Sequence, residues 1–428
     1  MHRTCLLTLC LLGSTIAFAE DWPQWRGPSR DGVWIEPNAL DKFPADKLEP
    51  IWRQEIGSGY SGPTVAQGRV YVMDRQTQPK QVERVHCFDS KTGKPAWTHT
   101  YDCQYQRVGY QAGPRASVAV VEGRAYSLGT MGHLFCFDAA KGDVLWKHDL
   151  DKEYKIEMPI WGISASPVVV GDLVVVHCSG REGACIVAFD RKDGTEKWKA
   201  LNERGQYSTP AIVAQGGKTV LICWTGDSVS GLEAESGKVL WSHPFKPSKM
   251  PIGCATPVVS GDKVLCTSFY DGTLLLKLNQ EKPGADLVYH KVGRSEQQTE
   301  ALQGIISTPV IDGDYIYGVD SYGELRCLSL ATGERIWEDL TATPKIRWGT
   351  IHFVRNGDKY WMFNERGELI IAKLSPKGFE ALSRTKLIEP TEVQLSRRGG
   401  VCWSHPAYAE GCVFARNDKE IVCAKVTK

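Results

Sequence analysis

One stretch decides the fold of this chain: Phe88-Asp89-Ser90-Lys91-Thr92-Gly93-Lys94-Pro95-Ala96-Trp97. A β-rich run ends at an aspartate, a Thr-Gly turn follows, and a tryptophan stands four residues after the glycine. The spacing between copies is about 47 residues, a period that is typical of propellers and solenoids. Further copies are Gly142/Trp146, Gly194/Trp198, Gly237/Trp241 and Gly333/Trp337, with degenerate copies at Gly284/Tyr289 and Gly378/Leu382.

A second marker lies between the tryptophans. A proline begins a β-rich run that reaches a glycine turn a few residues later, as in Thr308 to Tyr317, where two strand-like runs flank Gly313. We therefore predict an all-β fold, an eight-bladed β-propeller of four-stranded antiparallel blades, with the proline entry innermost and the tryptophan on the fourth strand. The entries are Pro63, Pro167, Pro210, Pro257, Pro309 and Pro406, with equivalents at Ser117 and His352.

The two ends of the chain complete each other. After Cys402 only three strands' worth of residues remain, and Trp52 belongs to a copy of the motif that lacks its upstream half. We predict that the N-terminal strand around Trp52 supplies the fourth strand of the last blade and closes the ring. The predicted organisation is a signal peptide over 1–19, a latch segment over 20–50 and the propeller over 51–428.

Charge and targeting signals set the expected compartment. The 428 residues carry 51 Lys+Arg and 50 Asp+Glu, for a net charge of +1, which argues against nucleic-acid binding. A short basic start, an apolar run over Leu6 to Leu12 and the small-x-small sequence ending at Ala19 are typical of a signal peptide. We expect an exported, periplasmic or secreted protein without a transmembrane segment.

Most of the 14 cysteines are expected to be structural. Cys87, Cys136, Cys327 and Cys423 occupy one recurring strand position, which predicts a small buried side chain with a free thiol. Two others flank the segment 179–184: Cys178 and Cys185 either pair across a hairpin as a disulfide or remain free. No Cys-x-x-Cys sequence occurs, so we predict no metal site.

The aspartate–glycine–tryptophan units resemble the tryptophan-docking repeats of the pyrroloquinoline-quinone (PQQ) propeller family, over roughly residues 50–428. The opening Asp21 to Pro28 is similar to the start of many secreted bacterial members. The resemblance implies an eight-bladed propeller. Its members include quinoprotein dehydrogenases and non-catalytic scaffolds such as the propeller lipoprotein of the outer-membrane barrel-assembly machinery.

The catalytic members hold PQQ under a ring formed by adjacent cysteines and bind Ca²⁺ through a carboxylate and an asparagine. This chain has no Cys-Cys pair and no asparagine at a blade entry. We therefore expect a non-catalytic binding or scaffold protein with no cofactor, whose partner is a protein, a peptide or a sugar-like ligand. A PQQ- and calcium-dependent oxidoreductase of alcohols or sugars is the alternative, and a carbohydrate-binding or carbohydrate-active propeller is the second alternative.

The innermost strands predict where a ligand would bind. The residues just before the blade entries line the channel mouth and are rich in aromatic rings and arginine, which suits anionic or sugar-like ligands and extended peptides. Packing between blades is the competing role for the same rings. The candidate ligand-binding residues are Arg115, Arg347, Tyr60, Tyr207, Trp161, Trp348, Trp403 and His405. The expected blade-docking residues are Trp52, Trp97, Trp146, Trp198, Trp241 and Trp337.

Overall fold

Four-stranded antiparallel sheets recur eight times in the computed structural model, which describes residues 20–396 and 399–428. In each sheet the strands follow chain order, except that the last sheet takes its outer strand from the other end of the chain. The predicted all-β, eight-bladed propeller is therefore confirmed. The predicted signal peptide, residues 1–19, lies outside the described residues. In the described part of the chain, no helix has the length and apolar character needed to cross a membrane.

The strands of the first half of the ring form blades 1 to 4. Their bounds, after the N-terminal strand, are β1 (Trp52–Glu55), β2 (Thr64–Ala66), β3 (Arg69–Gln76), β4 (Val82–Asp89), β5 (Pro95–Asp102), β6 (Ala119–Val121), β7 (Arg124–Leu128), β8 (His133–Asp138), β9 (Val144–Asp149), β10 (Val168–Val170), β11 (Leu173–His177), β12 (Ile186–Asp190), β13 (Glu196–Ala200), β14 (Ala211–Gln215), β15 (Lys218–Trp224), β16 (Ser228–Glu233) and β17 (Val239–Pro244). A single turn of helix, α1 (Leu150–Tyr154), follows β9.

The second half of the ring contains blades 5 to 8. Its strands are β18 (Val258–Ser260), β19 (Lys263–Ser268), β20 (Gly272–Leu278), β21 (Ala285–Lys291), β22 (Val310–Asp312), β23 (Tyr315–Val319), β24 (Leu325–Ser329), β25 (Arg335–Asp339), β26 (Ile351–Asn356), β27 (Lys359–Asn364), β28 (Glu368–Ser375), β29 (Gly378–Lys386), β30 (Ala407–Ala409), β31 (Cys412–Arg416) and β32 (Glu420–Lys425). The first strand of each blade contacts the first strands of its neighbours, for example β2 with β6 and β30, and so lies nearest the axis.

An aspartate shapes the turn between the third and fourth strands of blades 1 to 3. In blade 1 the Asp89 carboxylate accepts hydrogen bonds from the Thr92 backbone N–H at 2.9 Å and from the Thr92 hydroxyl at 2.8 Å. Gly93 closes the same turn with a φ of +69°, a left-handed conformation that favours glycine. The recurring Asp-x-x-x-Gly sequence thus forms the turn that positions the tryptophan of the fourth strand.

Four of the six docking tryptophans pack on the turn glycine of the next blade. The Trp97 indole N–H donates to the Ala139 carbonyl at 3.0 Å, and its ring lies 2.6 Å from where a Cβ on Gly142 would stand. Gly142 also has a φ of +79°, so only glycine satisfies both the turn and the ring. The same contact joins Trp52 to Gly93, Trp146 to Gly194, Trp198 to Gly237 and Tyr289 to Gly333.

Two tryptophans make the inter-blade contact differently. The Trp337 indole donates to the Ser375 carbonyl at 2.8 Å, on the following blade. The Trp241 indole instead donates to the Gln215 side chain at 2.9 Å, and the Gln215 amide donates onward to the Asn279 and Gly284 carbonyls of the next blade. The glutamine therefore bridges a turn that the tryptophan does not reach directly.

The recurring cysteine has a steric explanation in the strand register. The third-strand residue directly opposite each tryptophan is small: Cys87 faces Trp97 and Gly231 faces Trp241. A Cβ on Gly231 would lie 2.3 Å from the Trp241 ring, so a large residue has no room there. Cys87, Cys136, Cys327 and Cys423 are buried free thiols, as predicted.

Of the two alternatives for Cys178 and Cys185, the structure has free thiols and no disulfide. Their backbones do meet in a hairpin, because the Cys178 N–H donates to the Cys185 carbonyl at 3.0 Å. The two side chains diverge, however: the Cys178 thiol donates to the Ala184 carbonyl at 3.3 Å, whereas the Cys185 thiol points to the Arg204 carbonyl at 4.0 Å. Both are free and buried.

The N-terminal strand closes the ring as predicted. β1 pairs antiparallel with β32, and Trp52 stands opposite Cys423, the same register that other blades build from continuous chain. The Trp52 indole then donates to the Ser90 carbonyl of blade 1 at 2.7 Å. One strand thus completes blade 8 and docks it on blade 1.

Residues 20–50 cross the lower face of the ring, which is the end where the first strands finish. Backbone bridges tie Trp22 to Val65 in blade 1 and Val33 to Arg355 in blade 7. Trp22 and Trp34 are fully buried, and both contact the ring of Tyr408 in blade 8. The segment therefore spans the seam between the first and last blades.

A matched pair of glycines in blade 2 tests the docking contact. Gly123 and Gly142 have nearly the same φ, +73° and +79°, but a Cβ meets nothing within 4 Å at Gly123 and meets Trp97 at Gly142. We expect Gly123→Ala to cost about 1–2 kcal/mol from backbone strain. We expect Gly142→Ala to cost about 1–3 kcal/mol more, because the indole must move. The midpoint of urea unfolding measures both, and equal losses would contradict the docking role.

Candidate functional site

A cavity of about 150 Å³ lies on the axis at the end where the first strands begin, which we call the channel mouth. Cavities of this volume accommodate an aromatic ring. The loops that precede the first strands build its wall, so the lining comes from many blades. The lining residues are Trp25, Tyr60, Tyr110, Arg115, Trp161, Ser164, Ser166, Tyr207, Thr209, Cys254, Ile305, Ile306, Trp348, His352, Trp403 and His405.

The floor of this cavity comes from the N-terminal segment. Trp25 enters the channel, where its indole N–H donates to the Thr256 hydroxyl at 2.7 Å and its ring meets the His405 ring edge-on at 4.4 Å between centroids. Trp25 also lines a second cavity on the lower face. The channel mouth is therefore a cup that Trp25 separates from the lower face.

Aromatic rings from separate loops pack against one another to form the wall. Trp161 stacks on Tyr207 with ring centroids 5.1 Å apart, and the Tyr207 hydroxyl accepts the Trp161 backbone N–H at 3.3 Å. Tyr110 meets both Trp161 and Trp348 edge-on at 5.7 Å. The wall is therefore held together by its own rings.

Two indole N–H groups of this wall find no acceptor among the described residues. They belong to Trp348 and Trp403. A buried donor without an acceptor is costly, so these two groups are exceptions to the usual pairing of buried polar atoms. Tyr60, by contrast, has its hydroxyl on the Gln394 carbonyl at 2.9 Å and its ring stacked near Trp403 at 6.5 Å.

Arg115 lines the cup but its guanidinium is fixed by the protein. Its N–H groups donate to the backbone carbonyls of Gly109, at 3.0 Å, of Tyr110 and of Gly113, and also to the Thr130 hydroxyl. The guanidinium carbon lies 4.9 Å from the centre of the Tyr60 ring. Arg115 thus shapes the loop 109–113 while it places a positive charge beside the cup.

Arg347 lies outside the cup. It forms a two-pronged ion pair with Glu296, at 2.7 and 2.9 Å, and its guanidinium lies 4.6 Å from the Trp348 ring. The ion pair lowers the pKa of Glu296 below its usual value, chiefly through the Arg347 hydrogen bond. The arginine therefore supports Trp348 from the rim, whereas the other candidate residues of the mouth meet in the cup.

His405 lies at 2.7 Å from the Ser117 hydroxyl, an arrangement that superficially suggests a nucleophile and its base. The other ring nitrogen donates to the Pro406 carbonyl at 3.2 Å, so Ser117 donates to His405. Both residues are buried, and burial lowers the pKa of His405 to about 3. A base that weak does not activate a hydroxyl near neutral pH. The pair instead links blades 2 and 8.

Gly62 of blade 1 leaves room for the hydrogen bond between Ser117 and His405. His405 reaches Ser117 by passing over Gly62, where a Cβ would lie 2.3 Å from the imidazole. Most other blades carry serine or threonine at the position before the entry proline, and these hydroxyls tie the first strands together. Examples are the Ser117 N–H donating to the Ser166 hydroxyl at 2.9 Å and the Ser166 N–H donating to the Thr209 hydroxyl at 2.9 Å.

The hydroxyls that tie the first strands together were not predicted from the sequence, although their signal is readable as a Ser/Thr-Pro dipeptide at four of the entries. The repeated dipeptides are Ser166-Pro167, Thr209-Pro210, Thr256-Pro257 and Thr308-Pro309. Sequence analysis also missed Tyr110, His352 and the position of Trp25 as the floor of the cup.

The cup offers few groups for metal or acid–base chemistry. No aspartate or glutamate lines it. Within residues 20–396 and 399–428, no cluster of three or more His, Cys, Asp or Glu side chains has the arrangement of a metal site. Calcium requires several oxygen ligands at one place, carboxylates above all. The residues at the mouth therefore do not fit a calcium-assisted quinone cofactor.

Exposed apolar side chains occur on the loops that build the mouth. Ile160 is 49% exposed, Met250 40% and Val393 56%, and each lies on a loop that leads into a first strand. We call these three residues the apolar collar. Together with the aromatic wall they form an apolar surface at the mouth, a feature that commonly marks a binding site.

Comparison with known proteins shows which family this propeller resembles. A family model described as outer membrane protein assembly factor BamB matches residues 81–339, more than half of the chain. The BamB protein of Moranella endobia is 23% identical over 236 residues, which is 53% of this chain and 55% of that protein. The BamB protein of Shewanella oneidensis is 23% identical over 167 residues, 37% of this chain and 39% of that protein. The chain thus spans about half the length, or less, of these curated relatives.

Solved structures share the fold at low sequence identity. BamB from Moraxella catarrhalis is 14% identical with a TM-score of 0.59, covering 88% of this chain and 99% of that one. A quinohemoprotein alcohol dehydrogenase from Comamonas testosteroni is also 14% identical with a TM-score of 0.63, covering 94% and 80%. A BamB protein and an alcohol dehydrogenase therefore share this architecture, so the fold does not decide function.

Buried histidines at the axis predict an acid-sensitive fold. Burial lowers the pKa of His352 and His177 to about 4 and of His405 to about 3, whereas an imidazole in the unfolded chain titrates near pH 6.5. Between these values the unfolded chain binds protons that the folded chain excludes, so stability falls as pH drops below about 6.5. Each ring contributes about 1.4 kcal/mol per pH unit.

The free energy of unfolding falls with decreasing pH, and we expect His405→Gln to reduce this pH dependence between pH 6 and pH 4.5 by the contribution of about one proton. Glutamine does not titrate, and it can still accept the hydrogen bond from Ser117. The measurement is the free energy of urea unfolding across that pH range. His352→Gln serves as a parallel variant with the same expected change. A slope equal to that of the unaltered protein in both variants would contradict the account.

Proposed function

Because the chain belongs to the family of the outer membrane protein assembly factor BamB, we propose that it is an exported, periplasmic, non-catalytic scaffold that binds a protein segment at the channel mouth. Membership in this family supports an assembly role in general. It does not name a partner, since the chain covers only part of its curated relatives. The partner must be argued from the surface itself.

The observation that carries the proposal is the aromatic cup together with the apolar collar. It is costly to leave Ile160, Met250 and Val393 exposed to water on the loops that build the mouth, whose pocket is lined by Trp161, Tyr207, Trp348 and Trp403. An inserted aromatic or aliphatic side chain would fill the cup, while flanking residues of the partner would cover the collar. Interfaces commonly combine such a buried anchor with surrounding apolar contacts.

Polar features of the cup fit a peptide backbone. The positive charge of Arg115 beside Tyr60 adds attraction for a carbonyl dipole or a carboxylate. A protein segment therefore satisfies both the apolar and the polar parts of the site.

The rival functions fit less well. A PQQ-dependent oxidoreductase needs a calcium site and a base, whereas the cup is lined by no carboxylate and by imidazoles with lowered pKa values. A sugar-like ligand would stack on Trp161 and Tyr207, but sugar hydroxyls need several polar side chains and the wall supplies mostly ring carbon. The apolar collar also favours a protein over a sugar.

Site-specific photo-crosslinking tests the proposed face. A benzophenone amino acid is introduced at Ile160 or Val393 on the collar, and as matched controls at Leu287 or Ile336 on outer strands, which are 52% and 44% exposed. We expect one partner protein to be crosslinked from both collar positions in the exported fraction of the producing cell. Control positions should give no adduct with that partner.

A loss-of-binding series completes the test. Trp161→Ala should weaken partner capture at least about tenfold, because it removes an anchor of the cup wall. Leu287→Ala on the outer rim should leave capture unchanged. Crosslinks from the outer strands alone, or unchanged capture by the Trp161→Ala variant, would place the interface elsewhere and contradict the proposal.

A further inference from the structure

A second cavity, of about 340 Å³, lies on the lower face, on the other side of Trp25 from the channel mouth. One wall is the N-terminal hook, which we define as residues 25–32. The opposite wall consists of first-strand residues of blades 4 to 6, including the half-buried Ile212, Val259 and Ile311. This cavity is larger than the cup and has a different chemistry.

The hook has a left-handed backbone at four positions: Arg26, Gly27, Arg30 and Gly32 have φ values between +59° and +85°. For Arg26 and Arg30 this conformation is strained, and such strain persists only where the surroundings hold it. The Arg26 side chain stabilises this backbone. It is buried, and its guanidinium donates to the Arg30 carbonyl at 3.3 Å and to the Asp31 carbonyl at 2.7 Å.

Arg30 is the cation of the hook whose hydrogen-bonding capacity is least used. Among the described residues its guanidinium makes one hydrogen bond, from Nη2 to the Val169 carbonyl at 2.9 Å, and no ion pair. A guanidinium has five N–H donors, so most of its capacity remains unused. The side chain is half-buried, and this partial burial lowers the pKa of Arg30 to about 10. A partly desolvated cation of this kind favours an anionic partner.

The other charged groups of the cavity are already engaged. Arg355 pairs with Asp312 at 3.5 Å. The Asp31 carboxylate is exposed and accepts the Val33 N–H at 2.9 Å. Arg30 lines the cavity together with Ile212, Val259 and Ile311, and among the described residues its guanidinium forms no ion pair.

We propose that the lower cavity binds a small organic anion, whose carboxylate or phosphoryl oxygens are held by Arg30 and whose apolar body lies along Ile212, Val259 and Ile311. An oxyanion matches the fork of N–H donors that Arg30 presents. The apolar wall distinguishes such a ligand from a free inorganic ion. Because Trp25 separates the two cavities, failure of this proposal leaves the channel-mouth proposal unaffected.

Isothermal titration calorimetry with four probes tests the assignment. The probes are hexanoate and butyl phosphate, which combine both features, inorganic phosphate, which lacks the apolar body, and hexanol, which lacks the charge. We expect hexanoate and butyl phosphate to bind one per chain, at least about tenfold more tightly than inorganic phosphate. Hexanol should show no binding at the same concentrations.

Variants locate the binding. Arg30→Met keeps the length of the side chain but removes the charge, and should weaken both amphiphilic anions at least about tenfold. The matched control is Arg53→Met on β1, an exposed arginine far along the rim that pairs with Glu420; it should leave the affinities unchanged. Equal affinity in the unaltered protein and in the Arg30→Met variant would overturn the proposal, as would no binding of either anion at 10 mM, on the order of the weakest specific sites.

A second variant keeps the test decisive if Arg30→Met fails to fold. Ser260 is exposed and lines the cavity, so Ser260→Asp adds a negative charge there without disturbing the core. We expect it to weaken hexanoate and butyl phosphate about tenfold through repulsion. Unchanged affinity in the Ser260→Asp variant would overturn the assignment of these anions to this cavity.

Discussion

The contact between a tryptophan and the turn glycine of the next blade is the constraint on which the rest of the structure depends. A blade of four short strands has two apolar faces and is not stable alone. The indole of Trp97 fills the space that the bare Gly142 leaves, and its N–H satisfies a carbonyl of the same turn. Repeated around the ring, this contact fixes the angle between blades and also requires the small residue, often cysteine, opposite each tryptophan. The same contact, made by Trp52, closes the seam.

A ring fixed in this way holds loops from many blades at one axis. The aromatic cup is a consequence: Tyr207, Trp348 and Trp403 come from three different blades and line one cavity because their first strands surround one axis. The cup is closed below by Trp25, so the channel has two separate cavities with different linings. The apolar walls of the mouth favour binding of a partner over catalysis. The propeller fold is compatible with both functions.

The sequence predicts the fold well because the docking contact needs particular residues at fixed spacing. Gly142 must be glycine and Trp97 must be large, so both remain visible as a repeat. The mouth is predicted less well. Arg115 is found from its position before the blade entry, but its engagement by the carbonyls of 109–113 depends on loop conformation, which no periodicity records. The hairpin joining Cys178 and Cys185 is predicted correctly, whereas the direction of the two thiols depends on side-chain packing. Trp25 enters the channel because of positive φ values at Arg26 and Gly27, which local sequence does not reveal.

The measurement that tests the central claim most directly is a titration of the purified protein with PQQ in the presence of Ca²⁺. Binding is followed by absorbance, and activity by dye-linked oxidation of alcohols and sugars. The account predicts no stoichiometric binding at tens of micromolar, roughly the range of a weak site, and no dye reduction, because the cup supplies neither calcium ligands nor a competent base. One equivalent of bound quinone with substrate-dependent dye reduction would contradict it and make the channel mouth an active site.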